Sequence, residues 1–165
     1  MRFTPAALAI SAAFALTASS LIAAQREEAD PRAVAFIEDG RAALDAGEIA
    51  SAVDAIEAGL AIQPGNLDGY LALGEAMRAK DLPGRAIRYY RVVLAAEPRN
   101  VTALAGEGMA LADKGAFDLA RDRLARAEAI CGDCGEATNL AALIETRENA
   151  PQMAAAPAEE SPSEN

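Results

Sequence analysis

The apolar positions of this chain fall into columns. Phe36, Tyr70 and Leu104 stand 34 residues apart, and twenty residues behind them Ile56, Tyr90 and Leu124 keep the same interval. The small residues follow the same ruler, first as Gly40, Gly74 and Gly108 and then as Ala42, Ala76 and Ala110. Ala52, Ala86 and Ala120 form another column, and Ala61, Ala95 and Ala129 a further one. A fixed period of this length marks an array in which each unit packs on its neighbour. Alanine is common here, so the glycine column and the Pro64/Asn66 and Pro98/Asn100 pairs carry most of the signal.

Each unit predicts two helices joined by a tight turn. Gly47 and Gly115 stand where a first helix stops, and Ile49, Pro83 and Phe117 open the second, a place where proline is tolerated. The second helices run to about Ile62, Ala96 and Ile130. Pro64 and Pro98 then end them by withholding an amide, and Asn66 and Asn100 cap the helices that follow. Asp30 before Pro31 starts the first helix in the same way. A glycine inside a helix costs about 0.5 to 1 kcal/mol relative to alanine, so the glycine column predicts a partner backbone in close approach. Ala52, Ala86 and Ala120 would face it, with Phe36, Tyr70 and Leu104 and Ile56, Tyr90 and Leu124 filling the space between hairpins.

With these columns the chain resembles the tetratricopeptide repeat family, whose 34-residue pattern has a bulky residue, a leucine with glycine or alanine, a later alanine, an aromatic or aliphatic residue and a closing proline. The second unit matches best, through Tyr70, Leu73, Gly74, Ala86, Tyr90 and Pro98. The first has Asp39 in the leucine position; the third has Glu107 there and Gly132 in place of the proline. The units are 33–66, 67–100 and 101–134. The resemblance implies an all-α fold, a right-handed superhelix of three antiparallel helix pairs with the first helices lining a concave groove. That groove would hold a protein or peptide segment, with Ile37, Arg41, Leu44, Leu71, Glu75, Arg78 and Met109 as contact residues, beside Val34, Asp68, Ala105 and Ala112. Some family members grip a terminal carboxylate with basic and asparagine side chains. Arg41 and Arg78 fall at different places in their repeats, so that arrangement is not implied here.

Residues 135–148 predict a capping helix whose Leu140, Leu143, Ile144 and Arg147 are spaced so that the apolar side faces back onto the array, since a solenoid needs an end that is apolar inside and polar outside. The Pro, Ala, Ser and Glu of 149–165 predict a disordered tail.

Residues 1–24 have the layout of a secretory signal peptide: Met1 and Arg2, an apolar run from Ala6 to Leu16 broken by Ser11, then small residues ending in Ala23 and Ala24. Residues 25–32 form a short leader. The expected location is exported, in the periplasm. The competing reading is an uncut inner-membrane anchor, although alanine and serine make the segment weakly hydrophobic. Loss of 1–24 removes one arginine and no acid, leaving 14 basic against 25 acidic side chains, a net charge of −11. Such a surface repels phosphate backbones, so nucleic acid is not an expected partner.

Cys131 and Cys134 are the only cysteines, at the junction between the last repeat and the cap. In an exported protein they predict a disulfide that fixes the turn in place of proline. The alternative is a redox-active dithiol, against which stands the position of Cys131 at a helix end, where the dipole disfavours a thiolate. A zinc site would need ligands the chain lacks, so no metal is expected. There is no histidine, no glycine-rich phosphate loop and no nucleophile elbow. The chain is therefore not read as an enzyme, and no catalytic residue, cofactor or small-molecule substrate is expected. Arg85, Arg88 and Arg91 with Tyr89 and Tyr90 predict a solvated outer stripe with Tyr90 packed inward. The expected function is an exported protein-binding scaffold, with a thiol-active accessory protein or a membrane-anchored assembly factor as the alternatives.

Overall fold

Asn66 and Asn100 each hold the first turn of a helix. The Asn66 side chain accepts from the Gly69 amide at 3.1 Å and that of Asn100 from the Ala103 amide at 2.9 Å. Asp30 does the same for Arg32 at 2.9 Å. Each side-chain oxygen satisfies an amide that the helix itself leaves without a partner. The computed structural model describes residues 29–154, so the signal peptide, most of the leader and the tail from 155 lie outside the described residues.

From these caps run seven helices: α1 Pro31–Asp45, α2 Ile49–Ile62, α3 Leu67–Ala79, α4 Pro83–Ala96, α5 Val101–Asp113, α6 Phe117–Cys131 and α7 Gly135–Ala154. No strand occurs among the described residues. The pairs α1/α2, α3/α4 and α5/α6 are hairpins, and α1, α3, α5 and α7 pack in succession as a row of first helices. Gly47 and Gly115 turn the chain with φ of 76°. At the matching position in the second hairpin Asp81 adopts φ of 56°, a left-handed conformation in which aspartate is one of the few tolerated side chains.

The interior is filled by the columns, with corrections. Ala52, Ala86 and Ala120 are fully buried, as are Ile56, Tyr90 and Leu104. What meets the glycine column is mainly a side chain and not a backbone. A Cβ on Gly40 would stand 2.5 Å from Ile56, on Gly74 2.6 Å from the Tyr90 ring, and on Gly108 2.6 Å from Leu140 of α7. A backbone atom enters only at Gly40, where the Ala52 carbonyl would lie at 3.0 Å. Leu140 takes the place Leu124 was expected to fill, and Leu124 is half-buried. Phe36 is 42% exposed, because among the described residues no hairpin precedes α1 to cover it. Ala61, Ala95 and Ala129 face outward.

The capping helix runs past Glu148 to Ala154, six residues beyond its expected end. Ala137, Leu140 and Ile144 fix it to α5 and α6, and adding residues to a helix already nucleated is cheap.

Candidate partner-binding groove

The row α1, α3, α5 and α7 forms the inner face of the stack, and its side chains are tied to one another across helices. Arg41 of α1 donates to the Asp68 carbonyl of α3 at 3.3 Å and stands 3.5 Å from the Asp68 carboxylate. Arg78 of α3 donates through Nε to Asp113 of α5 at 2.9 Å and through Nη1 to the Met109 sulfur at 3.2 Å. Arg147 of α7 reaches the other oxygen of Asp113 at 3.0 Å. Asp113 is therefore the acceptor that joins three successive first helices. Charge-assisted bonds of this kind hold the long side chains in one geometry.

Two cavities open on this face. One of about 310 Å³ is lined by Glu75, Arg78, Ala79, Asp81, Asp113 and Arg147. The other, about 130 Å³, lies between α3, α5 and α7 and is walled by Glu75, Arg78, Tyr90, Thr102, Ala105, Gly106, Met109, Glu136 and Asn139. Glu75 and Arg78 belong to both. A wider depression of about 530 Å³ lies at the turns that join the hairpins, around Gln63, Asn66, Asp68, Glu97 and Asn100.

The residues predicted to line the groove divide. Glu75, Arg78 and Met109 come together at the two cavities. Arg41 lies beside a cavity of about 80 Å³ with Val34 and Asp68. Ile37 is 2% exposed and Leu71 8%, so both are mainly core, although Ile37 also walls the cavity beside Arg41 and Leu71 the wider depression. Their helices pack so closely that an aliphatic residue at that register is covered by the next hairpin. Leu44 is half-buried against the same core, and Ala105 and Ala112 are buried. Sequence reasoning did not place Asp113, Asn139 or Arg147 in the groove, although it set Arg147 on the side of the cap that faces the array. Their charge and polarity in the first-helix register was the available signal.

Glu75 keeps an exposed surface, yet the side chains crowded around its carboxyl partly desolvate it and raise its pKa from the usual carboxylate range, an effect opposed by the charges of Arg41 and Arg78. The Tyr90 phenol is pushed up by burial and, after that, by the Glu75 charge. Its ring is clamped between Gly74 and Gly106, where added Cβ atoms would stand 2.6 and 2.4 Å from it.

Behind the groove, Glu107 is buried and accepts from Arg91 at 2.7 Å and Arg123 at 2.6 Å. Arg91 is thus an anchor across three helices and not part of a purely solvated stripe, whereas Arg85 and Arg88 do face outward. At the far end the sulfurs of Cys131 and Cys134 lie 2.12 Å apart, at disulfide distance, with the Cα atoms separated by 5.7 Å. Cys134 immediately precedes α7, and its carbonyl accepts from the Thr138 amide. No group of three or more metal-ligating side chains gathers among the described residues. No described helix is long and apolar enough to cross a membrane, and the apolar segment Pro5 to Ala24 lies outside the described residues.

No protein-family model matches the sequence, and no curated protein matches it. Solved structures do. The Sgt2 tetratricopeptide domain of Aspergillus fumigatus superposes with a TM-score of 0.65 at 19% identity, covering 82% of this chain and 92% of that one. The chain has the tetratricopeptide fold. The first such domain of Spaghetti (RPAP3), solved bound to the HSP90 peptide SRMEEVD, gives 0.64 at 18% identity over 73% of this chain and 94% of its own. The type III secretion translocator chaperone SycD of Yersinia enterocolitica gives 0.64 at 17%, covering 80% and 94%. The tetratricopeptide array here is built of three hairpins, and α7 packs against the last of them.

Proposed function

We propose that this chain is an exported scaffold whose concave face holds a segment of a partner protein. The observation that carries the reading is the pair of cavities sharing Glu75 and Arg78 on the row of first helices. Their walls are positioned by the Arg78, Asp113 and Arg147 bonds, so a segment that enters pays little to order them. The mechanism is passive: a stiff curved array presents a prepared surface and localises what it binds. Export rests on the sequence of residues 1–24, and the sulfur positions of Cys131 and Cys134 suit a disulfide formed in an oxidising compartment.

A photo-crosslinking residue at Ala79, in the groove, compared with one at Arg88, on the outer face, tests this in the native compartment. The groove position is expected to trap a partner that the outer position does not. Equal yields from both would end the reading.

A thiol-active role is the second reading, favoured by one observation. Cys134, immediately before α7, lies beside Cys131 at the end of α6, with the two-residue spacing that dithiol sites use. Replacing both cysteines by serine separates the two readings, because a scaffold retains its partner and a dithiol protein loses its activity.

A further inference from the structure

Each of the three arginines of the groove has an internal ion-pair partner, two of them sharing one carboxylate, while the two cavities together are lined by four carboxylates, Glu75, Asp81, Asp113 and Glu136, against Arg78 and Arg147. Arg41 is taken by Asp68, while Arg78 and Arg147 share Asp113. Glu75, by contrast, forms no ion pair or hydrogen bond among the described residues, although it lines both cavities. Asp81 on the rim of the larger cavity and Glu136 on the wall of the smaller also have no ion-pair partner there. The groove therefore carries an excess of carboxylate at the place where its two cavities meet.

A second observation comes from the other side of the same small cavity. Tyr90 is 1% exposed, its ring held between two glycines, yet its hydroxyl has no hydrogen-bond partner among the described residues and the side chain lines the cavity. The oxygen is not sealed away, because no buried side-chain polar atom among the described residues lacks a partner; it opens to the cavity and is free to bond what enters there. Between it and Glu75 lies space of about 130 Å³, the share of roughly four waters in the liquid. Met109 and Ala105 supply apolar wall on the same cavity, suited to the methylenes of a long side chain.

We propose that this cavity seats one cationic side chain, a lysine or arginine carried by the partner segment, with the Glu75 carboxylate as counter-charge and the Tyr90 oxygen as second acceptor. The proposal rests on the reading of the groove as the partner site and names the chemistry of the partner, a basic segment. The net negative charge of the chain draws such a segment in from a distance. An acidic peptide of the SRMEEVD kind would instead meet Glu75, Asp81 and Glu136 and find every groove arginine occupied.

The test is selection from a random displayed peptide library on the full chain and on its Glu75→Gln, Glu75→Lys and Tyr90→Phe variants, each checked for helical content and melting temperature. On the unaltered chain the enriched peptides are expected to share a lysine or arginine at one position. That preference disappears on Glu75→Gln and turns to aspartate or glutamate on Glu75→Lys. Exchanging the selected lysine for glutamine is expected to weaken binding about tenfold on the unaltered chain and less than about twofold on Glu75→Gln, the effect of losing a charge-assisted bond. Tyr90→Phe should lose about threefold. Peptides that crosslink to Ala79 but show no basic position, or keep one on Glu75→Gln, overturn the cationic seat and leave the groove standing. If no selected peptide crosslinks at Ala79, the groove reading falls and the seat with it.

Discussion

Glu107 and Arg123 meet inside the array: Nε of Arg123 donates to the buried carboxylate at 2.6 Å, fastening α5 to α6. Arg91 of α4 takes the other oxygen at 2.7 Å. The hydrogen bond to Glu107 raises the Arg123 pKa, so the guanidinium stays charged at any working pH. A buried carboxylate in a leucine position is tolerable only because both its oxygens are filled.

Removing one side of that arrangement and replacing it are therefore different experiments. Glu107→Ala, which leaves a cavity, takes from Arg91 its partner and leaves Arg123 only Asp122, is expected to cost about 3 kcal/mol in urea unfolding. Glu107→Leu restores the residue usual at this position in the repeat pattern. The Arg91 side chain is 59% exposed and can return to water, and Arg123 keeps its ion pair with Asp122, so this variant is expected to fall within about 1 kcal/mol of the parent. A Glu107→Leu protein as unstable as Glu107→Ala would show that the ion pairs, and not the packing, hold this corner.

The Tyr90 slot gives a packing prediction. A methyl group on Gly106 would stand 2.4 Å from the ring, and the ring has Gly74 on its other side, so it cannot simply step away. Gly106→Ala is expected to destabilise by about 1 to 3 kcal/mol, the usual cost of overfilling a core. Combining it with Tyr90→Leu should cost less than the sum of the two single changes, because the added methyl then has room. Strict additivity in a double-mutant cycle would place the strain elsewhere.

Glu75 ties stability to pH in the unusual direction for a carboxylate. Its folded pKa lies above its unfolded value, so on acidification the folded chain takes up this proton first and gains stability through that window. The groups set around it are Arg41 and Asp45 from α1, Arg78 from α3, Tyr90 from α4, Asp113 from α5 and Glu136 and Arg147 from α7. Glu75→Gln removes the penalty of holding a charge there. Unfolding curves should find it as stable as the parent, or more so, at about pH 7, with the difference shrinking as pH falls toward the ordinary glutamate range. A loss of stability at neutral pH would mean that Glu75 has an internal partner and is not held in reserve for a ligand.

The repeat made the helices legible. Asn66, Asn100 and Asp30 cap as their side-chain chemistry requires, and Ile49, Pro83 and Phe117 open the second helices. What a period cannot convey is how far each position is covered, because that depends on neighbours brought in from other repeats. Ile37 and Leu71 share a register with groove residues but keep only a small edge at the cavities beside them, while Phe36 is left bare at the end of the described stack. The groove was legible as a face, through Glu75, Arg78 and Met109. Asp113 and Arg147, which set its geometry, were not, since their pairing joins helices 34 residues apart that a linear reading does not place side by side.

The Cys131–Cys134 pair joins α6 to the cap, and the two residues pack on the cluster of Leu104, Ala127 and Ala137. A bridge closing so short a loop contributes only about 2 kcal/mol on the chain-entropy model. The cap has other fixings: Leu140 fills the space beside Gly108, Ile144 is buried, Arg147 reaches Asp113, and Arg121 of α6 donates to Glu148 at 2.6 Å. Replacing both cysteines by serine is thus expected to lower stability by about 2 kcal/mol or less while leaving α7 docked. Hydrogen exchange should show faster opening confined to the first turn of α7, around Ala137, with protection at Leu140 and Ile144 kept. If the whole of α7 loses protection together, the sulfur pair is the principal fastening of the cap. Because Glu136 and Asn139 wall the small cavity from that first turn, peptide binding would then fall with it.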